Sequence, residues 1–234
     1  MTTPKHIGIL ACSYEGAALC YREIGAFSEN ILGPWNHPRI TIDSIPMAAY
    51  LPAFDAGDRR RLAEIMSDSI GVLARAGADF AICPDNSCHV ALEHLRDLPI
   101  PLLSILDVVA CEAQRLGLQR VAILGTRFTM GSTMYPRAFA SRGIKSMLPE
   151  AAEQKQIDRM IFEELVKGVL LDASRAALEQ IVDRMGNVGC DGAALVCTEL
   201  PLLLPSHGAV QILNSTQLLA AAAVAEAVSS SSRY

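Results

Sequence analysis

The sequence predicts an α/β fold of two pseudo-symmetric lobes, each a parallel sheet flanked by helices, with the active site at the lobe interface. Three observations carry this expectation. Short apolar runs alternate with helical stretches along the whole 234-residue chain, the pattern of βα units and parallel sheets. The apolar runs lack polar alternation, so each strand expects cover on both faces. The second half also echoes the first. Gly77-Ala78-Asp79-Phe80-Ala81-Ile82-Cys83-Pro84-Asp85-Asn86-Ser87 lies without gaps on Gly189-Cys190-Asp191-Gly192-Ala193-Ala194-Leu195-Val196-Cys197-Thr198-Glu199. Gly77 meets Gly189, Asp79 meets Asp191, and Asp85 meets Cys197.

Residues 6–11 read as the first strand and 15–27 as a helix. Residues 40–45 read as a strand. Residues 58–76 carry Leu62, Ile65, Met66, Ile70 and Leu73 at helical spacing and stop at Gly77. Residues 80–83 form a buried strand, 88–95 a short helix, and 99–104 a strand after a proline signal. Residues 106–116 are helical up to Gly117, and 120–125 extended. Helices follow over 129–141, 151–167 and 173–185, then strands over 192–196 and 210–213. An alanine-rich helix spans 216–228, with a frayed tail over 229–232. Ile7-Gly8-Ile9-Leu10-Ala11 resembles Val121-Ala122-Ile123-Leu124-Gly125, and residues 99–104 resemble 209–214. The first lobe is therefore set at 1–104 plus 215–234, and the second at 105–214. Ligands in such folds sit beyond the carboxyl ends of the strands. Asp85, Cys197 and the loops after Ala11 and Gly125 all fall there.

Composition narrows the class. Apolar residues make up 51% of the chain, ample for a core, yet no apolar run is long and uncharged enough to span a bilayer. The net charge of −5 argues against a nucleic-acid binder, which would be basic. Arg59-Arg60-Arg61 reads as a solvated helix face. The opening residues lack the layout of a secretion signal, and seven cysteines is an odd number, so the expectation is a reduced, cytoplasmic protein. Cys20, Cys111 and Cys190 read as small core residues. A P-loop, a GxGxxG fingerprint and metal-ligand spacing are all missing, so no cofactor and no metal is expected.

The two strand tips carry the chemistry. Moving a Cα proton symmetrically needs groups on opposite faces of the carbon. A thiol has an ordinary pKa near 8.5, and backbone N–H groups at a helix start favour its thiolate. Cys197 precedes a helix expected from Thr198 and is the principal candidate. A carboxylate is by itself a weak base for a Cα proton, and burial strengthens it. Asp85 is the second candidate, against the alternative that Asp-Asn-Ser merely caps a helix. Asn86, Ser87, Thr126 and Thr198 are candidate donors to a substrate carboxylate. Cys83 and Cys88 flank Asp85 and read as core, though either could supply a thiol if Pro84 distorts the strand end. His89 either touches the site or satisfies a buried carbonyl. Glu199 either orients donors or caps its own helix.

These residues also resemble a known family. Val196-Cys197-Thr198-Glu199-Leu200-Pro201 is similar to the second motif of the aspartate/glutamate racemase superfamily, Gly-Cys-Thr-Glu-hydrophobic. Asp85-Asn86-Ser87-Cys88-His89 resembles its first motif, Cys-Asn-Thr-Ala-His, with Asp in place of the first catalytic Cys. His6-Ile7-Gly8-Ile9-Leu10 resembles its opening strand. The resemblance implies a cofactor-independent isomerase of amino acid metabolism, with two thiols flanking Cα, one of which is here replaced by Asp85. It places Thr126 and Thr129 in a Gly-Thr-x-x-Thr substrate loop, and Ser13 and Tyr14 in the matching loop of the first lobe. Lys167 lies near a carboxylate-binding Lys of the family but reads more simply as a surface residue. An Arg that holds the distal carboxylate in aspartate racemases would fall near residues 47–51, where there is none. A small carboxylate substrate and a homodimer are expected, with no nucleic-acid or membrane partner. Two alternatives use the same scaffold: a single-thiol decarboxylase of a malonate-type acid, or a maleate-type cis–trans isomerase. A third is a non-catalytic carboxylate-binding protein.

Overall fold

In a computed structural model, which describes residues 3–204 and 210–229, the chain divides into two compact units. One holds the described residues of Met1–Ile105 and Leu219–Tyr234, the other Leu106–Leu218.

The first unit runs β1 (Ile7–Ala11), α1 (Tyr14–Leu32), β2 (Ile40–Ser44), α2 (Met47–Ala56), α3 (Arg59–Arg75) and β3 (Phe80–Ile82). A 3₁₀ segment, Asn86–His94, leads to β4 (Leu102–Leu103). Next come α4 (Ile105–Arg115), β5 (Arg120–Gly125), α5 (Arg127–Met130), α6 (Met134–Ala140), β6 (Lys145–Met147) and α7 (Ala151–Arg159). A π-helical turn (Met160–Glu164) and a 3₁₀ turn (Leu165–Lys167) precede α8 (Asp172–Asn187), β7 (Gly192–Val196), α9 (Leu200–Leu203), β8 (Gln211–Asn214) and α10 (Ser215–Val228).

Each unit has a four-stranded, wholly parallel sheet, in the orders β2-β1-β3-β4 and β6-β5-β7-β8. The expected fold class is thus present, and the two sheets share one topology. Both inner pairs hold residues with no polar face: every residue of β1, β3 and β7 is buried. Helix α3 shows how the sequence builds the packing. Asp58 caps it by accepting the N–H of Arg61 at 2.9 Å, and Leu62, Ile65, Met66, Ile70 and Leu73 form its buried stripe. Each such side chain contributes roughly 2 kcal/mol by leaving water. The Arg59-Arg60-Arg61 run is exposed on the same helix.

The repeated Gly-x-Asp has a structural cause. Gly77 (φ 88°) and Gly189 (φ 92°) both turn the chain in the left-handed region that glycine adopts without strain. Two residues on, Asp79 accepts the N–H of His6 at 2.6 Å, just before β1. Asp191 accepts from Gln119 (2.7 Å) and Arg120 (2.9 Å), where β5 begins. The two carboxylates do the same task in each unit, tying down the start of the strand beside them.

Several expectations differ from the structure. Helix α2 was not foreseen, because Pro46 and Pro52 punctuate a run with little apolar periodicity. The helix expected over 129–141 is two short helices broken around Gly131. The one expected over 151–167 leaves α-geometry at Met160. Strand β6, only three residues long, was missed. Cys20 and Cys190 are buried, but Cys111 is exposed and receives a contact from the Arg142 guanidinium at 2.8 Å. Of the tail expected over 229–232, residues 230–232 lie outside the described residues, as does residue 209 of the echo. No described helix is long and apolar enough to cross a membrane.

Candidate active site

In the first unit, β3 delivers the chain to Cys83-Pro84-Asp85. Asp85 stands at the cap position of the 3₁₀ segment, yet its side chain makes no capping bond there. The capping alternative is therefore replaced by a longer-range role. Oδ2 accepts the N–H of Cys12 at 2.9 Å, and both carboxylate oxygens lie 3.2 Å from the N–H of Ser13. The Asp85 carboxylate thus holds the loop that leaves β1, through charge-assisted bonds that need an acceptor on both oxygens. Ser13 is buried and caps α1 by accepting the N–H of Gly16 at 3.1 Å, whereas Tyr14 is 68% exposed. Asn86 is buried with its amide directed to the Pro84 carbonyl at 3.4 Å, and Ser87 is half-buried.

Behind Asp85 lies a knot of polarisable and polar groups. The Cys88 thiol is hydrogen-bonded to the Cys12 and Cys83 thiols, and these contacts, with burial, push its pKa well up. All three thiols are buried, and the Cys83 thiol also faces the Asp85 carbonyl at 3.7 Å. Cys88 is therefore a core thiol held protonated, not a ready base. His89 is buried too. Its Nδ1 is 3.3 Å from the Asp85 carbonyl, which only accepts, so Nδ1 carries the proton and Nε2 presents a lone pair. Burial lowers its pKa to about 4, against the opposing pull of the Asp85 and Asn86 carbonyls. His89 thus does satisfy a buried carbonyl, while Nε2 is left without a partner among the described residues. Tyr50, on α2, is wholly buried, and its hydroxyl likewise lacks a partner.

In the second unit, β7 ends at Val196 and Cys197 follows, 6% exposed. Its Sγ donates to Glu199 Oε2 at 3.1 Å, and the Thr198 hydroxyl donates to the same oxygen at 2.5 Å. Glu199 makes no cap bond to α9, so it orients neighbouring donors and does not close its own helix. That helix begins at Leu200, not at Thr198. The expected pull of backbone N–H groups towards the thiolate is present but outweighed. Burial first, then the Glu199 carboxylate, push the Cys197 pKa well up, and the N–H groups of Glu199 and Leu200 pull down more weakly. Cys197 rests as a thiol with its proton aimed at a carboxylate. Thr126 and Thr129 are both buried after β5. Thr126 caps α5 by accepting the Thr129 N–H at 3.3 Å, and their hydroxyls are 3.3 Å apart. Lys167 is exposed. Among the described residues, no group of three or more His, Cys, Asp or Glu is placed to hold a metal ion.

This arrangement has clear relatives. The profile of the Asp/Glu/Hydantoin racemase family matches residues 9–223. The chain belongs to this family. A Yersinia pestis protein provisionally assigned as an Asp/Glu racemase is similar at 27% identity, with 96% of this chain and 99% of that one covered and a TM-score of 0.86. An aspartate racemase homologue from Pyrococcus horikoshii is similar at 26% identity, over 95% and 99%, with a TM-score of 0.83. The aspartate racemase of Picrophilus torridus shares the fold at 18% identity, over 95% and 94%, with a TM-score of 0.79.

Within this racemase-family chain, the structure brings Asp85, Asn86, Ser87, Cys88 and His89 together with Ser13 at the strand ends of the first unit. It gathers Cys197, Thr198 and Glu199 at a strand end of the second, with Thr126 and Thr129 after the neighbouring strand. Sequence reasoning overlooked Tyr50 and Cys12. The signal for Tyr50 was a single hydroxyl in an otherwise apolar stretch, Met47-Ala48-Ala49-Tyr50-Leu51. Cys12 was visible only as the first residue of the loop after β1.

Proposed function

We propose that this chain is a cofactor-independent racemase that moves the Cα proton of a small carboxylate, an amino acid, with Asp85 and Cys197 serving opposite faces of the carbon. The observation that supports this best is the Cys197 thiol directed at the buried carboxylate of Glu199. In one direction Asp85, as carboxylate, takes the Cα proton, and the Cys197 S–H returns one from the other side. Solvent then re-protonates the Cys197 thiolate and takes the proton from Asp85, which restores the site. In the reverse direction Glu199 first accepts the thiol proton, the thiolate takes the Cα proton, and a protonated Asp85 delivers its own. Asn86, Ser87, Thr126, Thr129 and Thr198 are proposed to hold the substrate carboxylate and its enediolate-like transition state. Each acid–base group in such a scheme is worth about 10²- to 10⁴-fold in rate.

A second reading is a decarboxylase of malonate-type acids working with Cys197 alone. It is favoured by the bonds that tie the Asp85 carboxylate to the Cys12 and Ser13 N–H groups, since a carboxylate spent on the loop leaves one acid–base group. Incubating the enzyme in deuterated buffer with amino acids, malonates and maleate, followed by NMR, separates these outcomes. Cα deuteration of an amino acid with appearance of its enantiomer supports the racemase. Loss of CO₂ from a malonate, or conversion of maleate to fumarate, transfers the proposal to the other reactions. No turnover of any of them returns the chain to carboxylate binding alone.

A further inference from the structure

Two buried polar atoms of the first unit have no partner among the described residues, the Tyr50 hydroxyl and His89 Nε2. Folding leaves a buried donor unpaired only at a cost, so a group that must be filled from outside is the natural reason for keeping it. Tyr50 is well placed for this. The N–H of Ile45 is bound to the carbonyl of Ala11 at 3.1 Å, and α2 begins two residues later, so the end of β1 anchors this helix. The next residue, Cys12, is the one whose N–H the Asp85 carboxylate holds. Tyr50 is therefore one turn into a helix fixed at the same strand end as Asp85.

The surroundings of the hydroxyl say what it accepts. The groups that act on it are the Cys88, Cys83 and Cys12 thiols and Asp85, and burial outweighs them all in keeping it a neutral donor. The thiols form the hydrogen-bonded knot around Cys88. The charge in this set is the negative one of Asp85. Helix α2 itself holds no Lys or Arg, and its one ionisable side chain besides Tyr50 is the acidic, exposed Asp55. A second carboxylate on a substrate would meet a like charge there, with no cation from α2 to offset it, whereas an uncharged oxygen would meet a hydrogen-bond donor.

We propose that Tyr50 sets the substrate class: its hydroxyl donates to a neutral oxygen of the substrate side chain, so the chain prefers amino acids with an uncharged polar side chain over their isosteric diacids. This rests on the racemase reading above. A carboxamide fits best, because it is the uncharged isostere of a carboxylate and its oxygen suits the Tyr50 hydroxyl.

The test uses isosteric pairs, L-asparagine with L-aspartate and L-glutamine with L-glutamate, on the full chain and on Tyr50→Phe. Cα deuteration in deuterated buffer reads turnover, and calorimetric titration reads binding on its own. For wild type, at least one amide should exceed its isosteric acid by about tenfold in kcat/KM. Tyr50→Phe should raise that amide's KM about tenfold with kcat little changed, while Tm does not fall, because the hydroxyl bonds no group among the described residues. Preference for the acid, an unchanged amide KM in Tyr50→Phe, or a lower Tm in that variant overturns the proposal. If an amide binds without Cα exchange and Tyr50→Phe weakens it about tenfold, the subsite stands and the racemase reading fails. If acids exchange at Cα but no amide binds, the racemase reading stands and the subsite is overturned.

Discussion

In the first unit Gly77 turns the chain and Asp79 accepts the N–H of His6. In the second, Gly189 makes the same turn and Asp191 accepts from Gln119 and Arg120. Further along, at the strand tips, the units part. The first tip carries Asp85, which reaches back to the loop after β1. The second carries Cys197, which reaches forward to Glu199. What the repeat keeps is what each sheet needs to anchor its strands. What it varies is the proton-bearing group, so function is read more safely from the differences between the halves than from their likeness.

The comparison is broken most severely at the thiol. Cys197→Ser should lower turnover by about 10³-fold or more, because a hydroxyl is far less acidic than a thiol. Steady-state kinetics on the substrate found by the deuterium screen checks this, and a change within about tenfold would remove Cys197 from the chemistry. Glu199→Gln should cost less, about 10²-fold. It should also lower the Cys197 pKa, since the Glu199 charge and its bond to the thiol both raise it. The pH dependence of Cys197 alkylation reads that shift directly, and its midpoint should move down.

The unit with the carboxylate tip should also show its own pH signature. His89 has a folded pKa near 4 against an ordinary 6.5, so below about pH 6.5 the unfolded chain binds a proton that the folded chain refuses. Stability is therefore full above that range and falls as pH drops towards 4, by on the order of 3 kcal/mol if His89 acted alone. Denaturant titrations between pH 7 and 4.5 should show this loss, and His89→Gln should flatten it. The smallest effect is the shared one. Asp79→Ala and Asp191→Ala should each cost about 1 kcal/mol, since both carboxylates are largely exposed, which lowers Tm by roughly 2–4 °C. Unequal losses would show that the two anchors are not equivalent.

Much of this was legible in the chain. The apolar runs without alternation and the ungapped repeat foretold two parallel α/β sheets, because burial on both faces and strand–helix spacing leave few other solutions. The motif around Cys197 falls, as expected, at the carboxyl end of a strand. What was not legible was set by contacts distant in sequence. Nothing local shows that Asp85 bonds Cys12 and Ser13 across the sheet, that Glu199 turns to the thiol instead of its own helix, or that Cys12, Cys83 and Cys88 share one knot. Helix α2 was hidden by its prolines, and Tyr50 with it.

The central claim is that a carboxylate and a thiol serve opposite faces of one carbon. The measurement that tests it most directly is Cα deuteration of each enantiomer of a turned-over amino acid, followed by NMR for wild type and Asp85→Asn. Ordinary carboxyl and thiol groups differ by about four to five pKa units, so the two wash-in rates should be unequal in wild type. Asp85→Asn should suppress the slower direction more than the faster. Equal wash-in for both enantiomers, unchanged in Asp85→Asn, would contradict the account and leave Asp85 as the anchor of the β1 loop alone.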